Sequence, residues 1–355
     1  MDKEALYEKL ARHLDQGMVG APLSPSLMGI LEIMFTEEEA EIACRLPLEN
    51  KTLPELQALM PDRAETLEVA LAGMARNGTV YTGQKPGRER KYRLLPTVVG
   101  FAEAPYWAGL DTEKARRLAP LWIRYRNEGF GSELARGVPT VRVIPIDHAL
   151  GKKSEILPFD KLREQMGALS FFAVSKCPCR QMMAYVGKGC GHSLENCLHF
   201  GDMGRYVVEQ GMGREISRDE AIAILEEADR EGLVHAVENL SGYLSMICNC
   251  CACCCVFLQT QRLLSLKMIS SSSYAASVDA EACIGCGTCE GRCPVEAIAV
   301  GEGQKAGVDR AKCIGCGVCT PTCPAQALSL ARREQVTPPP DVAEFFSRRY
   351  KAPLS

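Results

Sequence analysis

Apolar residues recur at helical spacing in three successive stretches before residue 80. "FTEEEAEIACRL" opens with Thr36 and places Glu39 three residues on, which predicts a capping box. Around it, Ile33, Ala40, Ile42, Ala43 and Leu46 make an apolar stripe. "TLPELQALM" (52–60) predicts a short helix with Pro54 in its first turn. "DRAETLEVALAGMARNG" (62–78) predicts a longer one, with Leu67, Ala70, Leu71 and Met74 on one face and Asn77-Gly78 as its stop. The next stretch, "TVYTGQKPGRERKYRLLP", alternates across a Gly/Pro turn and predicts a β-hairpin. Further on, Leu118, Leu121, Trp122 and Tyr125 mark an amphipathic helix, "GVPTVRVIPI" a strand, and "SRDEAIAILEEADREGLVH" (217–235) a helix opened by Ser217 and Glu220.

Three helices followed by a hairpin resemble a winged helix-turn-helix over about 65 residues. The DNA-binding version of that fold would place the third helix in the major groove. Here that helix begins with Asp62, Arg63, Glu65, Thr66 and Glu68, whose carboxylates repel phosphate. Residues 1–100 hold 12 Lys/Arg against 15 Asp/Glu, although Lys85, Arg88, Arg90, Lys91 and Arg93 make the hairpin basic. The balance predicts a protein-docking module without specific DNA binding.

A net charge of −3 over 355 residues exerts no overall pull toward nucleic acid. The chain shows no export signal and no apolar stretch of membrane-spanning length, so a cytoplasmic location with reduced thiols is expected. Cysteine is the outlier: 19 residues, 18 of them between Cys177 and Cys323.

"CIGCGTCEGRCP" (283–294) and "CIGCGVCTPTCP" (313–324) are an internal repeat with the spacing Cys-x2-Cys-x2-Cys-x3-Cys-Pro. They resemble the bacterial two-cluster ferredoxin. The resemblance implies one [4Fe-4S] cluster on Cys283, Cys286, Cys289 and Cys323, and a second on Cys313, Cys316, Cys319 and Cys293, the fourth cysteine of each motif crossing over. Gly285, Gly287, Gly315 and Gly317 are expected at positive φ, and "VEAIAV" and "AQALSL" as short helices after Pro294 and Pro324.

Ten cysteines remain: Cys177, Cys179, Cys190 and Cys197, then Cys248, Cys250, Cys251, Cys253, Cys254 and Cys255 in "CNCCACCC". The first four suffice for one cubane or one zinc ion. The run supplies another full set, with two thiols over. It serves either two centres, or one unusual cluster and a thiol pair. One or two additional iron–sulfur clusters are expected here, built from both groups. Hydrogen-bonded or surface roles outweigh ligation for His192 and His199, Arg180 is placed to offset cluster charge, and Cys44 is expected in a core.

The arrangement as a whole resembles poorly characterised ferredoxin-like iron–sulfur proteins of anaerobes. These join a winged-helix-like N-terminus, a Cys-x-Cys-Arg segment and a "CNCC" segment to a dicluster ferredoxin. "CPCR" also resembles part of the catalytic subunit of ferredoxin:thioredoxin reductase, whose Cys-Pro-Cys and Cys-His-Cys segments are not otherwise present. The expected organisation is α+β and multidomain. A winged-helix-like module spans 1–100, a helical/strand connector 101–170, a mixed helical Cys-rich domain 171–268, a Ser-rich linker 269–277, a dicluster ferredoxin domain 278–332, and a Pro-containing tail 333–355. The expected function is low-potential electron transfer to or from a partner oxidoreductase. A thiol/disulfide or small-molecule reductase acting at 248–255 is the alternative, and a redox-sensing transcription factor the third.

Overall fold

A computed structural model of the chain describes residues 2–146, 149, 162–301 and 304–351. Helices and β-sheet are mixed, and the chain divides into two units. One takes Met1–Leu134, Ala173–Gly189 and His199–Glu215; the other takes Ala135–Phe172, Cys190–Leu198 and Ile216–Ser355. Among the described residues, no helix is long and apolar enough to cross a membrane.

The first unit begins with the helices Lys3–Leu14, Pro25–Met34, Glu37–Ala43, Leu53–Leu59 and Leu67–Arg76. The capping box closes: Thr36 N–H donates to Glu39 Oε2 (2.8 Å) and Glu39 N–H to Thr36 Oγ1 (3.2 Å). Strands Val80–Gly83 and Lys91–Leu94 pair antiparallel with Val80 opposite Leu94, and Lys51–Thr52 adds to the outer edge of Lys91–Leu94. The third of the predicted helices starts at Leu67, later than Asp62, because Pro61–Arg63 form a tight 3-10 turn. Its charged residues are engaged. Arg45 holds Asp62 through two bonds (2.8 and 2.7 Å), and Arg63 reaches Glu38 (2.8 Å) and Glu41 (2.6 Å).

Helix Glu113–Tyr125 buries Leu118, Trp122 and Tyr125. Lys114 turns to Asn77, and burial holds its pKa down at about 8. Leu95, Trp107, Tyr206, Val207 and Met212 share one core. Within it, the Tyr206 hydroxyl donates to the Ala75 carbonyl (3.1 Å), so the buried phenol is satisfied.

In the second unit, Val141–Ile144, Val234–Glu238, Met246–Cys250 and Glu195–Phe200 (as far as Leu198) lie side by side in that order. The first two pairings are antiparallel, with Val141 opposite Glu238 and Val234 opposite Cys250. Ser217 caps helix Arg218–Glu231, accepting from Glu220 N–H at 3.1 Å. The helix is shorter than the predicted 217–235, because Gly232 turns into the left-handed region (φ +77°) and Val234 onward joins the sheet.

The Ser-rich stretch 269–277 is folded in. Ser270, Ser272 and Ser273 are buried, Ser272 Oγ donates to the Gly315 carbonyl (2.8 Å), and Tyr274–Val278 is a strand paired antiparallel with Leu328–Arg332. A second hairpin pairs Ile298–Val300 with Ala306–Val308. "VEAIAV" and "AQALSL" are therefore turn-and-strand, not helix. Glu296 (φ +54°) and Gln326 (φ +50°) take left-handed conformations that end any helical continuation after the prolines. The proline-broken tail closes with helix Val342–Lys351, whose buried Arg349 donates to the carbonyls of Arg136 (2.8 Å) and Val138 (3.0 Å). Of the expected connector, residues 147–148 and 150–161 lie outside the described residues.

Candidate metal centres

The two Cys-Pro motifs fold into matching halves. Asp279 and Asp309 open the loops alike: each carboxylate accepts two backbone amides (2.9 and 3.2 Å), and each carbonyl accepts the amide of the first cysteine, Cys283 (2.9 Å) or Cys313 (3.0 Å). The four loop glycines take φ of +70° to +81°. A Cβ on Gly317 would lie 2.5 Å from that of Ala149, and one on Gly285 2.5 Å from the Gln304 carbonyl, so at these two positions glycine also answers a close approach.

Two cavities result. One is lined by Cys283, Cys286, Cys289 and Cys323 among Val278, Ile284, Val300 and Leu328. The other is lined by Cys293, Cys313, Cys316 and Cys319 among Ile298, Ile314, Val318 and Leu330. Each draws three thiols from one motif and the fourth from the other. Backbone amides donate to the sulfurs, two of them from the other half of the repeat and two from just past the fourth cysteine. Ala306 donates to Cys283 and Ala276 to Cys313 (3.4 Å each), Ala297 to Cys293 (3.2 Å), and Ala327 to Cys323 (3.3 Å). Such bonds favour thiolate, and the Ala306 amide holds Cys283 below the ordinary thiol range. Cys286 is held down by the Thr288 hydroxyl at 3.4 Å. Burial pushes Cys289, Cys293 and Cys316 up, and Cys319 to about 12. Four thiols set among apolar residues and supplied with amide donors fit a positively charged iron–sulfide core.

The surroundings of the halves differ. Ile284, Cys286 and Thr288 are exposed, whereas every residue from Cys313 to Cys319 is buried and Ile146 N–H closes onto the Cys316 carbonyl (3.0 Å). The first motif's loop meets solvent, and its twin is covered.

The cysteine run divides. Strand Met246–Cys250 sets Cys248 and Cys250 on one side and Asn249 on the other. Cys248 and Cys255 hydrogen-bond to Cys250 and, with burial, push its thiol well up. The turn after the strand sends Cys251, Cys253 and Cys254 to Cys190, and these four sulfurs all lie within 4.8 Å of one another. Cys254 and Cys190 are 3.5 Å apart. Within this group, burial and neighbouring thiols raise Cys253 to about 12 and lift Cys254 further. Burial also acts against ionising Cys190, but the His192 amide and the three facing thiols outweigh it and bring Cys190 down. The quartet thus mixes the two sequence groups, taking one cysteine from the first and three from the run.

Cys197 is buried on strand Glu195–Phe200. Cys177 and Cys179 belong to the first unit, at and just inside the N-terminus of helix Pro178–Tyr185, with Arg180 buried beside them in the chain. Cys44 is half-buried at the end of helix Glu37–Ala43. Neither histidine is spare: His192 Nδ1 pairs with Glu231 (3.0 Å), and His199 Nε2 with Ser175 Oγ (2.8 Å), where burial lowers its pKa to about 3 and keeps it neutral.

Sequence reasoning passed over a buried polar chain behind the run. Asp229 Oδ1 meets His235 Nε2 (2.8 Å), His235 Nδ1 meets Asn249 Oδ1 (2.7 Å), and Asn249 Nδ2 donates to the Asn196 carbonyl (2.7 Å). The signal that pointed to it was the alternation that puts Asn249 opposite its cysteine neighbours.

Residues 276–330 match the family model described as a 4Fe-4S dicluster domain. No curated protein matches the chain. The C-terminal part is a ferredoxin-like domain, and that domain with the cysteine cluster supports an iron–sulfur electron-transfer role.

Proposed function

We propose that the protein carries low-potential electrons through two [4Fe-4S] clusters, one on Cys283, Cys286, Cys289 and Cys323 and the other on Cys313, Cys316, Cys319 and Cys293. The pair of cavities with crossed thiol sets carries this reading. When bound, the clusters supply one-electron redox chemistry. The chain's own residues enclose them, donate amides to the ligand sulfurs, and keep water from the inner site. The exposed loop at Cys286 is the docking point for a redox partner protein, because electron exchange between proteins needs a centre near the surface. The covered centre passes electrons inward. The ten middle cysteines hold further sulfur-ligated metal, supported by the close quartet at Cys190.

The N-terminal module docks a protein partner. The sheet that joins Lys51–Thr52 to the hairpin supports the winged-helix reading, and the ion pairs that occupy Asp62 and Arg63 weigh against a DNA-reading helix.

Anaerobic iron and sulfide analysis with EPR of the reduced full chain tests the electron-transfer reading. Two interacting low-potential [4Fe-4S] signals, and about eight irons and eight sulfides from this domain, are expected. A reduced sample without such signals overturns it.

A further inference from the structure

The quartet Cys190, Cys251, Cys253 and Cys254 differs from both ferredoxin quartets in scale. Four thiolates that share one tetrahedral ion at a metal–sulfur distance of about 2.3 Å stand about 3.8 Å apart. In a cubane each thiolate binds a different iron and points away from the core, so the sulfurs spread much further. Here all four sulfurs fall within 4.8 Å of one another, and one pair, Cys190 and Cys254, is at 3.5 Å. Among the described residues, neither ferredoxin quartet brings even three sulfurs that close. The chain thus supplies its own yardstick, and the middle quartet is too tight for a cubane.

Spacing agrees. A backbone that wraps a cubane leaves two residues between successive ligands, as in the ferredoxin repeat. Cys251, Cys253 and Cys254 come from a single turn with gaps of one residue and none. Such a turn converges on a point. The fourth donor is held in place independently: two residues after Cys190, Glu231 takes His192 Nδ1 at 3.0 Å and the Ser193 amide at 3.0 Å, fixing the loop to the end of helix Arg218–Glu231.

We infer that Cys190, Cys251, Cys253 and Cys254 bind one four-coordinate divalent metal ion through four thiolates, as a mononuclear site without sulfide. Zinc fits this donor set best, and a lone iron shares its chemistry. The ion staples the turn after strand Met246–Cys250 to the Cys190 loop. The inference deepens the reading of the Cys-rich middle as metal-bearing and rests on it.

The experiment compares metal and acid-labile sulfide in the anaerobically purified full chain and in the Cys190→Ser and Cys254→Ser variants. The expected result is a loss of about one metal ion per chain with sulfide unchanged; zinc loss identifies zinc, and iron loss without sulfide identifies a lone iron. A parallel fall in iron and sulfide overturns the inference in favour of a cluster, and no loss of metal overturns it outright. Because a variant chain may unfold, cobalt exchange into the wild-type protein provides a second reading: tetrahedral thiolate–cobalt absorption bands are expected, and their absence overturns the inference. Sulfide from the ferredoxin domain is the separate control. If it is missing, the electron-transfer reading has failed as well; if it is present, only this inference has.

Discussion

The guanidinium of Arg292, one residue before a ferredoxin-motif cysteine, donates to the carbonyl of Asp229 at 3.2 Å. It also reaches the Arg230 carbonyl (2.9 Å), and so adds a charged donor to two carbonyls at the end of helix Arg218–Glu231, of which that of Asp229 also accepts the Gly232 amide (3.0 Å). The Asp229 side chain meanwhile holds His235, and through it Asn249 between Cys248 and Cys250. One residue thus ties the ferredoxin fold to the frame behind the cysteine run.

Removing that tie is measurable. Arg292→Ala is expected to cost about 1–3 kcal/mol in denaturant unfolding, since two carbonyls lose a charged donor. Gly232→Ala is expected to cost about 1–2 kcal/mol for its left-handed backbone, and more because its Cβ would run into the Arg292 guanidinium. The double variant should cost less than the two singles summed, and strict additivity would refute the collision.

Crossed ligation makes a sharper prediction. Cys323→Ser lies in the second motif, yet it should strip the cluster walled by Cys283, Cys286 and Cys289, lowering sulfide by about half. The surviving EPR signal should be that of the covered centre, measured as slower loss under a hydrophilic oxidant.

Two glycines of similar φ separate backbone strain from crowding. Gly287→Ala faces open space and should cost about 1–2 kcal/mol, with clusters retained. Gly317→Ala meets the Ala149 Cβ and should lose the inner cluster as well. Visible absorbance after anaerobic reconstitution compares them.

Lys114 is a half-buried amine with a pKa of about 8 against the ordinary 10.5. Between those values the unfolded chain binds the proton and the folded chain does not, so wild-type stability should rise with pH across that window. Lys114→Met should stabilise by about 1–3 kcal/mol at pH 7, and its advantage should shrink toward pH 10.5. Thermal melts across that range check the sign.

Specific DNA binding is not expected, because Asp62 and Arg63 are taken up in ion pairs and Glu65 and Glu68 beside them repel phosphate. A salt-resistant nanomolar complex with promoter DNA would reverse that reading.

The ferredoxin repeat was legible because its spacing is local and occurs twice. Its glycines were legible too, since wrapping a cluster demands positive φ at Gly285, Gly287, Gly315 and Gly317. The strands after Pro294 and Pro324 were not, because nothing in the local pattern announces the left-handed Glu296 and Gln326 that turn an apparent helix into strand. The division of "CNCCACCC" also escaped. Strand geometry alone separates Cys248 and Cys250 from Asn249, but it takes the long-range arrival of Cys190 to show where the turn points. The length of helix Arg218–Glu231 depended on Gly232, whose role became visible only with Arg292 against it.

Near-identical loops in unequal surroundings have a cost. On the proposed electron-transfer reading, the opening at Cys286 that admits a partner is equally wide to dioxygen, and thiolate-rich iron at a surface is where oxidation starts. Air damage to the ferredoxin pair should therefore run from the outside in, and the more accessible of the two sites is also the more perishable.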